Sequence, residues 1–357
     1  MNIIFRADSS YKISAGHVMR CLNLADYLLI KDVNVSFICR KLAGNITDNI
    51  KKKGYKIYEL PADNSYELKN IKPKIQHEHW LETTWENDAS QTIEAVKGLH
   101  TDWLIVDSYA IDERWESAVK TALDCKIMVI DDLTDRKHNS DILLNQNILT
   151  SPDAYSELIP KECKVFLGYE YAMLKKEYFE KKYRTHKNAS PENLFIFFGS
   201  ADNTNETVKT LNALKLVNHK FKKIMVVCGS INKNLPEIKN ICEQNNYELH
   251  IDTTRMAELI SKSDIAIGAG GVNTWERCYL HVPSMVISIA DNQTQASINA
   301  HEKGYIYYIG ESENITTEQL AKHIDGFVRD KLLINNVKEK LVYSFTNNKI
   351  KEIYDTL

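Results

Sequence analysis

The opening of the chain constrains its fold more than any other stretch. Asn2–Phe5 is a short apolar run that reads as a buried strand. A turn of mostly small and polar residues follows, and Gly16 leads into apolar positions at Val18, Cys21, Leu22, Ala25, Leu28 and Leu29, spaced for a helix. Strand, phosphate-sized turn and helix form the first unit of a doubly wound α/β domain, whose first crossover often borders a ligand. His17 stands at the start of that helix. The positive end of the helix dipole disfavours an imidazolium, so His17 is a candidate proton acceptor near pH 7; the position equally suits an ordinary polar residue at a helix start.

At 357 residues the chain exceeds what one core usually holds, so two domains are expected. A hydrophobic content of 43% supports full cores, and a net charge of -3 gives no reason to expect a nucleic acid or an anionic membrane as partner. No apolar run is long enough to span a bilayer, and the N-terminus lacks the pattern of a signal peptide. The seven cysteines show neither CxxC nor zinc-finger spacing and read as reduced thiols. A cytoplasmic, metal-independent protein without a cofactor is the expectation, with a monomer as the default state.

The strands come in two sets. The first is Asn2–Phe5, Val33–Cys39, Tyr55–Glu59, Trp103–Val106 and Lys126–Ile130; the second is Leu194–Phe198, Lys223–Cys228, Leu249–Asp252, Ile265–Gly268 and Ser284–Ile289. Helical stretches separate most of them, which implies parallel sheets. The charged segment Lys175–Pro191, ending in Asn188-Ala189-Ser190-Pro191, is a linker candidate between an N-terminal domain, 1–174, and a C-terminal domain, 192–357, with a helical tail from Thr317 to Leu357 that could pack back across the junction. Two similar Rossmann-like domains suggest a cleft between them for a small ligand.

Two places in the second half suit phosphate and sugar. Leu194–Phe198 runs into Gly199-Ser200 and then a helix; the glycine allows close approach, and Ser200 with the helix amides can bind phosphate, though many such turns bind nothing. The more specific place is Gly268-Ala269-Gly270-Gly271-Val272-Asn273-Thr274-Trp275-Glu276, glycines at a strand end followed by polar residues opening a helix. Glu276 could accept bonds from two ribose hydroxyls or simply complement the helix N-terminus.

These residues converge on a family. Phe5-Arg6-Ala7-Asp8-Ser9, Gly16-His17-Val18-Met19-Arg20-Cys21, Val106-Asp107-Ser108-Tyr109 and Trp115-Glu116 come first. They are followed by Ile130-Asp131-Asp132-Leu133, Asp141 through Asn147, Leu167 through Ala172, Ala269 through Glu276, and Ala290-Asp291-Asn292-Gln293. In order and number they resemble the UDP-sugar hydrolases of pseudaminic acid biosynthesis, a GT-B-like nucleotide-sugar hydrolase family, from the N-terminus to roughly residue 310. The resemblance implies an α/β, GT-B-like fold: two Rossmann-like, doubly wound parallel-sheet domains facing a central cleft. It also implies hydrolysis of UDP-2,4-diacetamido-2,4,6-trideoxy-β-L-altropyranose to UDP and the free sugar by C–O cleavage with inversion, in a route to modified flagellin or surface glycans. By motif, His17 carries over as the base that activates water, with Tyr109 and Asn292 supporting it at the sugar. Gly16, Gly199, Ser200, Gly270, Gly271, Asn273, Thr274, Glu276 and Gln293 carry over as substrate-binding residues. The chain departs from the family at Ser14, where glycine is usual, at Ser108, where histidine is frequent, and at Ser200-Ala201, where a second glycine is usual.

The chemistry suits these residue types. UDP is a good leaving group, so oriented N–H groups at a helix N-terminus can stabilise it without a metal, and the opposite face needs a base within reach of water. Other polar clusters read as structural. His77-Glu78-His79-Trp80 reads as an exposed loop or helix edge rather than a metal site, Asp131-Asp132 as a pair that caps a turn or shapes the cleft, and the five tryptophans as core residues. The competing functions are a GT-B glycosyltransferase, which passes the sugar to an acceptor, and a non-catalytic nucleotide-sugar binding protein.

Overall fold

The structure is a computed structural model that describes residues 1–29, 33–63, 74–149, 151, 153–180 and 191–357. Most of the expected linker, residues 181–190, lies outside the described residues. The chain divides into two compact units: Met1–Met173 with Lys349–Leu357, and Leu174–Asn348.

Unit 1 is built on seven strands, β1 (Asn2–Ala7), β2 (Asn34–Arg40), β3 (Lys56–Leu60), β4 (Trp103–Asp107), β5 (Lys126–Ile130), β6 (Ile142–Asn145) and β7 (Lys164–Leu167). They are ordered β3-β2-β1-β4-β5-β6-β7 and every neighbouring pair is parallel. Between strands run α1 (Gly16–Leu28), α2 (Thr47–Lys52), α3 (Trp85–Ala95) and α4 (Glu113–Leu123). Both sheet faces are covered, which is why β1, β4 and β5 read as continuous apolar runs rather than alternating ones. On one face Ile4, Ile38, Leu104, Val106, Ile127 and Val129 pack with Trp115 and Val119 of α4.

Unit 2 repeats the plan with β8 (Asn193–Phe197), β9 (Lys223–Cys228), β10 (Glu248–Ile251), β11 (Ile265–Ala269), β12 (Ser284–Ser288) and β13 (Tyr307–Glu311). The order is β10-β9-β8-β11-β12-β13, again all parallel. Its helices are α5 (Glu206–Leu214), α6 (Leu235–Asn245), α7 (Met256–Ser261), α8 (Val272–Tyr279), α9 (Asp291–Glu302), α10 (Thr317–Arg329) and α11 (Lys331–Ser344). The tail α10 starts with a reciprocal cap, in which the Thr316 hydroxyl accepts from Gln319 N and the Gln319 side chain accepts from Thr316 N.

Two boundaries differ from the sequence reading. The C-terminal domain stops short of the chain end, because the last helix, α12 (Ile350–Tyr354), belongs to unit 1, in line with a tail that packs back across the junction. Ile350 and Ile353 are buried there, Tyr354 stacks on Tyr27, and the Trp103 indole donates to the Leu357 carbonyl at 2.9 Å. At the other end, Lys176–Phe179 is a 3-10 turn of unit 2, with Tyr178 buried and hydrogen-bonded to Glu276.

Candidate functional site

The order of the first sheet fixes where chemistry gathers in unit 1. The chain leaves β1 toward β2 on one side and β4 toward β5 on the other, so the carboxyl ends of β1 and β4 border the crevice where such sheets take ligands. Ala7 and Asp107, the last residues of the two strands, are partners in register. The segment after β1 brings His17 to the first turn of α1, and the segment after β4 brings Tyr109 beside it.

Asp107 is fully buried and accepts from three directions. His17 Nδ1 lies 2.6 Å from Oδ1, while Arg20 donates from Nε to Oδ2 and from Nη2 to Oδ1, both at 2.6 Å. Burial works against the charge on Asp107, but Arg20 and His17 overcome it and hold the carboxyl below the ordinary carboxylate range. An ionised carboxylate only accepts, so His17 Nδ1 is the donor in this bond and Nε2 is the ring nitrogen that it leaves unused. Arg20 continues to Asp132 Oδ2 at 2.5 Å, where the Tyr109 hydroxyl also donates at 2.5 Å, and Asn147 donates to Oδ1 at 2.8 Å. Burial first, and then the Asp132 charge, raise the Tyr109 phenol well above its usual range, so it stays protonated. Its ring meets His17 edge to face with centroids 4.5 Å apart. Asp107, Arg20 and Asp132 therefore form the support of the candidate base, a role the sequence reading did not assign.

Gly16 is exposed at the first position of α1, and a Cβ there would meet nothing within 4 Å. Ser14 adopts φ +70, a left-handed conformation that glycine takes more freely than serine.

The expected reading of His77-Glu78-His79-Trp80 as an exposed edge needs correction. Glu78–Leu81 is a 3-10 turn that buries Glu78 and Leu81. Its Trp80 ring lies 5.7 Å from Tyr109 and 6.3 Å from His17, and His77 lies 4.5 Å from Trp80. Trp80 thus adjoins the candidate base. Among the described residues no group of three or more His, Cys, Asp or Glu could hold a metal ion, and no helix is long and apolar enough to cross a membrane.

In unit 2 the corresponding switch lies between β8 and β11. Gly199 follows β8 with φ +95, and Ser200 is exposed, its carbonyl accepting from Gly229 N at 3.0 Å. The α5 amides expected to bind phosphate here are already engaged: Asp202 accepts from Glu206 N at 2.9 Å and Thr207 N at 2.8 Å. The loop after β11 is different. Gly271, at φ +83 and ψ −157, precedes α8, and no side chain caps that helix. A Cβ on Gly270 would lie 2.9 Å from Ser297 Oγ and 3.0 Å from Gln293 Cβ. Gln293, on the first turn of α9, accepts from Ile289 N at 3.1 Å and so borders the glycine loop; Asn292 sits half-buried beside it in sequence.

Glu276 is half-buried, held by Asn273 Nδ2 and by the Tyr178 hydroxyl. Burial raises its pKa, against the opposing effects of Tyr178 and Lys175. Beneath the loop, Arg277 is fully buried and donates to Asn273 Oδ1 at 2.6 Å, the Ala269 carbonyl at 2.8 Å and Thr274 Oγ1 at 3.3 Å. Burial brings its guanidinium down to about 10. Unit 2 thus gathers Gly270, Gly271, Asn273, Thr274, Glu276 and Gln293 at one end of its sheet, with Gly199 and Ser200 on the neighbouring strand end. Unit 1 by itself brings His17 and Tyr109 together, with Gly16 next to His17 in sequence.

Residues 193–356 match the glycosyltransferase family 28 C-terminal domain. The chain is 28% identical over 306 residues to the UDP-2,4-diacetamido-2,4,6-trideoxy-beta-L-altropyranose hydrolase of Campylobacter jejuni, covering 85% of this chain and 98% of the relative. The chain is a homologue of that hydrolase. It is also 22% identical over 325 residues to the spore coat polysaccharide biosynthesis protein SpsG of Bacillus subtilis, with 90% of this chain and 87% of that one covered. Among solved structures, MurG of Acinetobacter baumannii matches 99% of this chain and 98% of its own with a TM-score of 0.67 at 15% identity, which establishes the GT-B fold.

Proposed function

We propose that the protein hydrolyses UDP-2,4-diacetamido-2,4,6-trideoxy-β-L-altropyranose to UDP and the free diacetamido sugar, as a step in making a nonulosonic acid of the pseudaminic type. The observation that carries the reading is the His17–Asp107 pair, 2.6 Å apart and buried, which leaves the imidazole Nε2 free to take a proton from water. The homologous hydrolase supplies the substrate class.

In this reaction the water oxygen bonds to the anomeric carbon as the bond from that carbon to the diphosphate oxygen breaks. The water proton passes to His17 Nε2, and the electron pair leaves with UDP. Asp107 stabilises the imidazolium that forms, as a buried carboxylate does for a general base elsewhere. Tyr109 and Asn292 are assigned to the sugar. The uncapped start of α8, with Gly270 and Gly271, is assigned to the diphosphate, where the amides and the buried Arg277 charge favour an anion. Glu276 is assigned to the ribose, with Gly16, Gly199, Ser200, Asn273, Thr274 and Gln293 as further substrate contacts.

A second reading, transfer of the sugar to an acceptor other than water, draws on the family 28 domain of residues 193–356. Phosphorus and proton NMR of the purified protein with the UDP-sugar, without acceptor or metal, separates the two. Appearance of UDP and the inverted free sugar supports hydrolysis. UDP released only when an acceptor is supplied supports transfer, and binding without turnover would overturn both.

A further inference from the structure

Trp80 differs from the tryptophans of the cores. Trp115 and Trp275 are buried at 0% and 2% exposure, whereas Trp80 is half-buried, packed on one side against the unit 1 core cluster. Around it lie His77 at 4.5 Å, Tyr109 at 5.7 Å and His17 at 6.3 Å between ring centroids, and His77 closes the set at 5.8 Å from Tyr109. Trp80 and Tyr109 thus flank the candidate base and His77 backs both of them; of these three rings Trp80 and His77 are half-exposed.

The turn that carries Trp80 is anchored rather than loose. Leu81 is fully buried, and Glu78 accepts from Lys74 N at 2.8 Å and from Arg114 of α4 at 3.2 Å. Arg114 is itself held by Asp112. An anchored, half-exposed indole beside a proton acceptor is a preorganised surface, and it costs little conformational entropy when a ligand covers it.

We propose that Trp80, with His77 beside it, is a specificity-determining platform for the apolar face of a deoxygenated, N-acylated sugar. This rests on the proposed function for the identity of the sugar. A trideoxy diacetamido sugar carries a C6 methyl and two acetyl methyls where common hexoses carry hydroxyls. Methyl and C–H groups gain by lying on an aromatic face, whereas added hydroxyls there lose hydration without finding a partner.

The test compares three probes by calorimetry: UDP, UDP-glucose, and a non-hydrolysable UDP-diacetamido sugar with a methylene in place of the anomeric oxygen. The platform predicts that wild type binds the diacetamido probe more tightly than UDP or UDP-glucose. Trp80→Ala then loses about 3- to 10-fold for that probe and nothing for UDP, and Trp80→Phe recovers most of the loss. Intrinsic fluorescence adds a direct readout, because the sugar probe changes the emission of wild type and the change disappears in Trp80→Phe. If Trp80→Ala does not fold, Trp80→Leu, which keeps apolar volume without the π face, takes its place. Equal effects on UDP and the sugar probe, or no gain from the sugar in wild type, would overturn the proposal. Failure of wild type to hydrolyse the natural UDP-sugar would sink the proposed reaction while leaving this binding comparison decisive for Trp80.

Discussion

Asp107 and His17 stand 90 positions apart in the chain, yet Oδ1 of one lies 2.6 Å from Nδ1 of the other in a buried environment. The contact exists because β1 and β4 are neighbours in the sheet, and it dictates the imidazole tautomer. Replacing Asp107 by Asn removes the charge that fixes the Nδ1 proton and would stabilise an imidazolium. Under the proposed reaction, Asp107→Asn is expected to lower kcat by about 10²–10⁴-fold with a smaller change in KM. Steady-state UDP release checks this. A variant that folds and keeps its kcat would remove Asp107 from the mechanism.

Glycine replacements in the two units should behave in opposite ways. At Gly271 the φ of +83 with ψ −157 is a conformation that side chains rarely take, so Gly271→Ala is expected to cost about 1–3 kcal/mol of stability as well as UDP affinity. At Gly16 a Cβ meets nothing within 4 Å of the protein, so Gly16→Ala should fold with unchanged or slightly higher stability. Any activity lost in Gly16→Ala then reports crowding of the substrate rather than of the fold. Urea unfolding and UDP-sugar turnover on the same preparations separate the two effects.

Much of this architecture is legible in the sequence, because buried parallel strands announce themselves as apolar runs and glycines mark the turns that follow. β6, β7 and β13 are harder to read. The first two have only four residues each, β7 is an edge strand with Val165 exposed, and β13 contains Gly310 at positive φ opposite a register shift. The residues His17 and Glu276 stand out locally, by motif and by position at a helix start. Asp107, Arg20 and Asp132 do not, since their link to His17 and Tyr109 is a product of strand order rather than of any periodicity. Trp80 is missed for a related reason: His77 and the four-residue 3-10 turn Glu78–Leu81 carry no helical or strand period, and only tertiary packing reveals what the turn adjoins.

Acid stability follows from the buried carboxylates. Burial opposes ionisation of Asp88, Asp107 and Asp131, but each is held below the ordinary range, by Arg6 and Arg40, by Arg20 and His17, and by Arg136 and His138 respectively. Unfolded aspartate titrates near 3.9 or so, above these native values, so in the interval between them the unfolded chain binds more protons. The stabilisation is therefore fully present above the unfolded value and drains away as the pH falls through the native ones. Urea midpoints are expected to change little on this account between pH 7 and 5 and to fall steeply below about 4. A large drop already between pH 7 and 5 would place the sensitive group on a histidine instead.

The last prediction concerns Glu276, whose carboxyl is raised by burial despite the Tyr178 hydrogen bond and the nearby Lys175. Ribose hydroxyls donate best to the ionised form, so a ligand that needs the carboxylate binds more tightly as the pH rises through the native pKa. Because that pKa lies above the ordinary glutamate value, wild-type UDP affinity should still be climbing at a pH where a free glutamate is already ionised. Glu276→Gln keeps the shape and an acceptor oxygen but adds an amide donor and removes the charge. It is expected to bind UDP about 10- to 100-fold more weakly, the usual worth of hydrogen bonds to a charged group, with a flat profile over the same interval. Calorimetry with UDP and with 2′,3′-dideoxy-UDP at several pH values checks both points. The dideoxy nucleotide should show neither the climb nor the sensitivity to the substitution. A climb that persists in Glu276→Gln would assign the titrating group to the nucleotide phosphate rather than to this carboxylate.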